Sequence, residues 1–286
     1  MIKKNKKLGF SLLELSITIL LISVALLAIS KGRIVFIQSK VNFSQDLTTK
    51  SPVILTKDLI AWYEPVLTTS FNEIDKYDGT VLTNVDGSSW NDSSPSGENH
   101  AVIGVAPKYE KYAINDLPAV RFDGTASFLV FDHSDLIQKH FTVFIVEQRL
   151  SSGINHLMTF GGESNLGYID DITIGGIGIT TPAAVSTFSG AEPRILTFLS
   201  ADKISHTKGV FINGGSGSVA ADDPADALIN DQITGSIGYG FIVAEAFYDG
   251  NISEIIIFNR ALNLDERNRI QKYLGKKYNI TTTDSI

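Results

Sequence analysis

Residues 10–29 are almost all apolar and contain neither Gly nor Pro, and a run of about 20 such residues is long enough to cross a bilayer core of roughly 30 Å as one helix. One residue does not fit. Glu14 places an acid inside this run, where an ionisable side chain costs about 3 kcal/mol or more and marks a functional position with a partner. Lys3, Lys4, Lys6 and Lys7 precede the run, and positive charge flanking a span stays cytoplasmic. The chain beyond the span is therefore expected outside the cytoplasm.

The junction Gly9-Phe10, preceded by a short basic leader and followed by Glu14 at the fifth position after the glycine, resembles the processing site of type IV pilins and pseudopilins. The resemblance implies that a prepilin peptidase of the membrane cuts after Gly9, that Phe10 becomes the N-methylated terminus, and that Glu14 takes part in assembly with other pilin or pseudopilin subunits. The physics agrees with this expectation. A new amine on Phe10 is itself expensive in lipid, and a carboxylate on a neighbouring subunit neutralises it. Two plainer readings compete. A secretory signal has an apolar core of only about 7 to 15 residues, although Ala28-Ile29-Ser30 offers a small-residue cleavage site. An uncleaved anchor accounts for the length and leaves Glu14 without a purpose.

The chain has 286 residues and a formal net charge of -7. With the leader as its main basic cluster, the remainder is more acidic still, which argues against nucleic acid as a partner. The absence of cysteine excludes thiol catalysis, zinc-thiolate sites and the stapling disulfide of many pilins.

After the span, Ile34, Ile37, Val41 and Leu47 recur at roughly helical spacing among polar residues, and Pro52 ends the pattern. This predicts one helix over residues 10–50, apolar all round in its first half and amphipathic in its second. Beyond Pro52, short runs of Ile, Val, Phe and Tyr alternate with Gly, Asn, Asp and Ser clusters, the pattern of an antiparallel β domain. Expected strands include residues 59–63, 119–122, 128–131, 141–146, 194–199, 209–212 and 252–258. A closing helix is expected after Asn263, with Glu266 as its capping acid and Ile270, Leu274 and Tyr278 as its apolar stripe. Residues 281–286 read as a frayed tail.

Trp90-Asn91-Asp92-Ser93, Gly97-Glu98-Asn99-His100-Ala101, Leu117-Pro118-Ala119-Val120-Arg121-Phe122-Asp123-Gly124 and the segment from Gly250 through Leu262 to Tyr278 are together similar to concanavalin A-like, laminin-G-like domains. The similarity implies a mainly β, jelly-roll sandwich over residues 57–280. Domains of that group bind carbohydrates or proteins, often near calcium, and some relatives hydrolyse glycans.

Three candidate sites were weighed on chemistry. Glu73-Ile74-Asp75-Lys76-Tyr77-Asp78 approaches the paired-carboxylate strand of glycosidases, in which alternation holds two acids about 5 to 5.5 Å apart, but Asp78 and Gly79 signal a turn instead. Asp170-Asp171 and Asp222-Asp223 with Asp226 suit calcium, although their spacing defines no ligand set. His100, His133, His140, His156 and His206 show no metal spacing and read as surface or turn residues.

The resulting expectation is a minor pilin-like subunit, 1–9 being leader, 10–50 membrane and stalk helix, and 57–280 an adhesive head for a glycan or protein ligand. Its place is the inner membrane, with the head in the periplasm and at the filament or cell surface after assembly. No cofactor and no enzymatic activity are expected. The alternatives are a pseudopilin of type II secretion and an anchored glycan-acting enzyme.

Overall fold

The computed structural model describes residues 11–84, 87, 89–137, 140–160, 164–171, 173–175, 191–200, 207–215, 219–221, 234–240 and 246–284. It divides into two compact units, Met1–Asn42 and Phe43–Ile286.

Helix α1 runs Leu12–Thr49, about 57 Å at 1.5 Å per residue. It is long and apolar enough over its first half to cross a membrane, and none of that half is buried within the protein. Three hydroxyls of that half are satisfied within the helix: Ser16 donates to Leu13 O at 2.8 Å, Thr18 to Glu14 O at 2.7 Å and Ser23 to Ile19 O at 2.8 Å. A segment in hydrocarbon must meet its hydrogen bonds internally, and these do.

The second unit is mainly β. In chain order the strands are β1 (Leu59–Tyr63), β2 (Thr80–Val81), β3 (Val102–Val105), β4 (Lys108–Ile114), β5 (Leu117–Asp123), β6 (Phe128–Asp132), β7 (Thr142–Arg149), β8 (Asn155–Phe160) and β9 (Ser164–Tyr168). They continue with β10 (Ile174–Gly175), β11 (Arg194–Leu199), β12 (Thr207–Ile212), β13 (Val219–Ala221), β14 (Thr234–Ile237), β15 (Tyr239–Gly240), β16 (Ala246–Phe247) and β17 (Asp249–Phe258). Among the described residues one sheet follows the order β13-β12-β11-β7-β17-β5-β4-β2, a second the order β10-β9-β8-β14-β6-β3, and β15 pairs with β16. All of these pairs are antiparallel, as the alternating apolar pattern predicted.

Strand β17 is the spine of the larger sheet. One edge pairs along its length with β7, while the other is shared, β5 taking Asp249 to Ile252 and β1 taking Ile255 to Phe258. Its run of Ile and Phe is buried on both faces because helix α2 (Leu264–Tyr278) supplies further cover. The aromatic core joins the two sheets through Tyr63, Trp90, Phe122, Phe131, Phe141 and Phe160.

Helix α2 starts with the expected reciprocal cap, Asn263 accepting from the Glu266 N–H at 3.0 Å and Glu266 accepting from the Asn263 N–H at 3.1 Å. Contrary to the expected fraying, residues 281–284 are tied down, while 285–286 lie outside the described residues. Thr283 N–H donates to Asn213 O at 2.9 Å and Lys272 pairs with Asp284 at 2.8 Å. Gly214 has φ +78°, and a Cβ there would lie 1.9 Å from Thr283 O, so glycine is what allows the tail to pass.

The segment 90–101 is a clasp on β1. Asp92 accepts from Trp62 N–H and Ser94 N–H at 2.8 Å each, from Ser94 Oγ at 2.7 Å and from Asn99 N–H at 3.2 Å. A buried carboxylate with four donors meets its desolvation cost.

A second buried network sits under α2. Lys277 Nζ donates to Glu254 Oε2 at 2.7 Å and Glu64 Oε2 at 3.2 Å, all three side chains being fully buried. Trp62 Nε1, Tyr273 OH and Tyr278 OH donate to Glu254 at 2.8, 3.0 and 2.9 Å, while Val66 N–H, Leu67 N–H and Ser70 Oγ complete Glu64.

Candidate functional site

Gly9 and Phe10 lie outside the described residues, whereas Glu14 stands in the first turn of α1. Its Oε2 accepts from Ser11 N–H at 2.9 Å, and its own N–H donates to Ser11 Oγ at 3.1 Å. This is a Ser-x-x-Glu capping box, whose signal is present in the sequence. Glu14 thus has a local role beside the one proposed for it in assembly.

In the head, the loops following β7 and β9 enclose an open cleft of about 550 Å³ lined by Gly153, Ile154, Ile169, Asp170 and Asp171. Arg149, the last residue of β7 and 8% exposed, ties the two loops together. Its guanidinium donates to Gly153 O at 3.5 Å, Asp170 O at 3.2 Å and Asp171 O at 2.7 Å, and lies 4.0 Å from the centroid of the Tyr168 ring. Asp171 Oδ1 accepts from Gly153 N–H across the cleft, and Asp170 accepts from Thr173 N–H at 2.6 Å and Thr173 Oγ1 at 2.9 Å. The walls are apolar at Ile154 and Ile169 and carboxylate at the two aspartates. That combination suits surface contact with a polar ligand that has apolar faces, the cleft being open to solvent.

Asp170 and Asp171 are two of the residues weighed for calcium. Asp222, Asp223 and Asp226 lie outside the described residues, as does His206. Among the described residues no group of three or more His, Asp or Glu side chains is arranged to hold a metal ion.

Behind the cleft, Glu147 is fully buried and accepts from Tyr168 OH at 2.7 Å and Tyr248 OH at 2.5 Å, with Arg194 at 3.6 Å. Burial raises its pKa, opposed by Arg194, the two tyrosine hydrogen bonds and Arg149. With Tyr168 and Tyr248 also fully buried, the group is a closed network that supports the Tyr168 ring on which Arg149 lies.

Two histidines expected at the surface are interior. His133 is completely buried and His156 is 2% exposed, packed where β8 meets Gly240. Neither His156 ring nitrogen has a hydrogen-bond partner among the described residues, and burial lowers its pKa to about 4. Because the unfolded chain binds this proton near pH 6.5 and the folded one only near 4, stability is fully present above 6.5 and falls as pH drops toward 4. The expected loss is about 3 kcal/mol, from roughly 1.4 kcal/mol per pH unit. Urea melts of wild type and His156→Leu at pH 7, 5.5 and 4 check it, the variant showing the shallower decline; parallel declines would refute the assignment.

The Glu73 segment is not a strand. Residues Glu73–Asp75 form a 3-10 turn, Asp75 is buried and accepts from Thr83 N–H and Oγ1 at 3.1 and 2.9 Å, Asp78 accepts from Lys111 N–H at 2.8 Å, and Glu73 pairs with Lys76 at 2.6 Å. Glu73 and Asp75 sit in one turn and Asp78 beyond it, each with a different partner, so no strand alternation pairs them.

No family model matches the chain, and no curated protein matches it. Solved structures do. Trypanosoma rangeli sialidase matches at TM-score 0.50 and 15% identity over 80% of this chain and 34% of that one. The same enzyme in complex with 2-keto-3-deoxy-D-glycero-D-galacto-2,3-difluoro-nononic acid matches at TM-score 0.51 and 13% identity, over 88% and 41%. A mutant displaying trans-sialidase activity matches at 0.51 and 14%, over 87% and 39%. The chain thus spans between a third and two-fifths of the length of these sialidases, and what it shares with them is the β-sandwich fold. The expectation that the chain is no enzyme is corrected by this finding: proteins sharing the fold are glycan-acting enzymes, so the lack of a paired-carboxylate strand does not support that exclusion.

Proposed function

We propose that this chain is a pilin-like subunit, anchored in the inner membrane by α1, that presents a glycan-binding β-sandwich. The observation that carries the reading is α1 itself, a helix apolar enough to span a membrane whose first turn holds one ionisable group, Glu14. Cleavage after Gly9 and methylation of Phe10 by a prepilin peptidase give that carboxylate a partner on an adjacent subunit. The head's fold, seen in sialidases of which one was solved with a nononic acid, and the cleft of Asp170, Asp171, Ile154 and Ile169 support a carbohydrate ligand. The size of the head favours a minor subunit displayed at a tip or at intervals.

Mass spectrometry of the protein from its native host is expected to find a mature chain starting at methylated Phe10; retention of residues 1–9 in cells that possess the peptidase would overturn the pilin reading. A glycan array probed with the detergent-solubilised chain tests the head. Binding is expected, and Arg149→Met is expected to weaken cleft ligands at least tenfold, since truncating a buried charged donor of several hydrogen bonds costs roughly 2 kcal/mol or more. Products released from bound glycans would extend the reading to turnover.

A further inference from the structure

Between Glu14 and Asp46 helix α1 carries no acidic residue, and its charged groups there are Lys31, Arg33 and Lys40. A chain with a net charge of -7 thus contains one stretch that is purely basic. Lys31 and Arg33 are exposed and have no ion pair among the described residues, so their counter-charge must come from outside the helix.

Helix geometry fixes where these groups stand. From Leu12 to Lys31 the axis rises about 28 Å, close to the roughly 30 Å of a hydrocarbon core, so Lys31 falls at its far boundary. Ile34, Val35 and Phe36 follow, 63%, 68% and 63% exposed. They lie about 4 to 8 Å beyond Lys31 along the axis. That is the depth of one headgroup layer, since a bilayer with its headgroups is about 40 to 45 Å thick. Past them the helix surface turns polar, Gln38 donating to Asn42 Oδ1 at 2.9 Å.

Consecutive helical residues point about 100° apart, so Ile34, Val35 and Phe36 leave the axis in three directions. A protein partner packed on one face covers only part of that arc, whereas a headgroup layer surrounds the helix. The two basic groups beside them select phosphate as the complementary charge. We propose that residues 31–36 form a collar that binds anionic phospholipid in the leaflet opposite the leader, Lys31 and Arg33 pairing with lipid phosphates while Ile34, Val35 and Phe36 lie in the interfacial layer. The proposal rests on the reading of α1 as a membrane anchor.

The chain has no cysteine, so Phe36→Cys supplies a unique attachment point for a nitroxide. The labelled full chain is reconstituted into vesicles of phosphatidylcholine alone or with roughly one third phosphatidylglycerol, and its relaxation by a neutral, water-soluble nickel chelate is measured. Leu20→Cys serves as the bilayer reference and Tyr77→Cys, at a position 70% exposed on the head, as the aqueous one. Position 36 is expected to be shielded in the anionic vesicles and about fivefold more accessible in the neutral ones, since each basic group near an anionic surface is worth about that factor. Adding Lys31→Gln and Arg33→Gln should abolish the difference; the leader lysines are untouched, so the loss reports this collar alone. Position 36 as accessible as position 77 in both vesicles, shielded equally in both as it would be between copies of the chain, or unaffected by the double replacement would overturn the collar and, with position 20 shielded, leave the anchor intact. Position 20 open to the chelate would overturn both.

Discussion

Lys277→Met is expected to cost the head about 3 to 5 kcal/mol, because it leaves two fully buried carboxylates, Glu64 and Glu254, without their shared cation. At the size of this domain that is a fall of roughly 10 °C or more in Tm. Met matches the length of the Lys stem, so the loss reads the charge and its hydrogen bonds more than the packing. The Tyr273, Tyr278 and Trp62 donors stay on Glu254, but Glu64 has only backbone groups and Ser70 in reserve. Adding Glu254→Gln to Lys277→Met removes one of the two uncompensated charges and should restore part of the stability. Thermal melts of the two variants and wild type decide the matter. A single variant within about 1 kcal/mol of wild type, a change typical of ordinary substitutions, would mean that water or a proton already compensates the carboxylates.

Replacing Glu14 separates its capping role from the assembly role proposed for it. Glu14→Ala removes both the cap on Ser11 and the charge, whereas Glu14→Gln keeps a capping acceptor and removes only the charge. Insertion should be unharmed in both, or improved by loss of the roughly 3 kcal/mol penalty of an intramembrane acid. Processing should also continue, since Gly9 and Phe10 are untouched. Incorporation into filaments should fall more than a hundredfold in both variants. The Phe10 amine of an adjacent subunit is left unpaired in hydrocarbon, at roughly 3 to 5 kcal/mol. Immunoblots of membrane and sheared-filament fractions supply the measurement. Normal incorporation of Glu14→Gln with poor incorporation of Glu14→Ala would assign Glu14 to helix capping alone; normal incorporation of both would remove the assembly role.

The elements of this protein are legible because their signals are local. An apolar run without breakers makes α1, short continuous runs of Ile, Val, Leu and Phe make β7, β11 and β17, and Asn263 with Glu266 opens α2. Each pattern needs only a few neighbouring residues, and the misplaced acid at Glu14 is visible for the same reason. Side-chain partnerships across the sandwich are set instead by strand register. Arg149 reaches the backbone carbonyls of Asp170 and Asp171 because the loop after β9 lies beside the end of β7, and no spacing announces that contact. His156 looks like a turn residue until β8 pairs and buries it, and His133, just past the end of β6, is buried against Phe131 and Phe160. The cation of Lys277 serves Glu64 from 213 positions away. Composition and periodicity determined a long apolar N-terminal helix joined to a β-rich head; only the tertiary structure decided which polar groups went inside, since burial and pairing depend on what the fold places opposite each one.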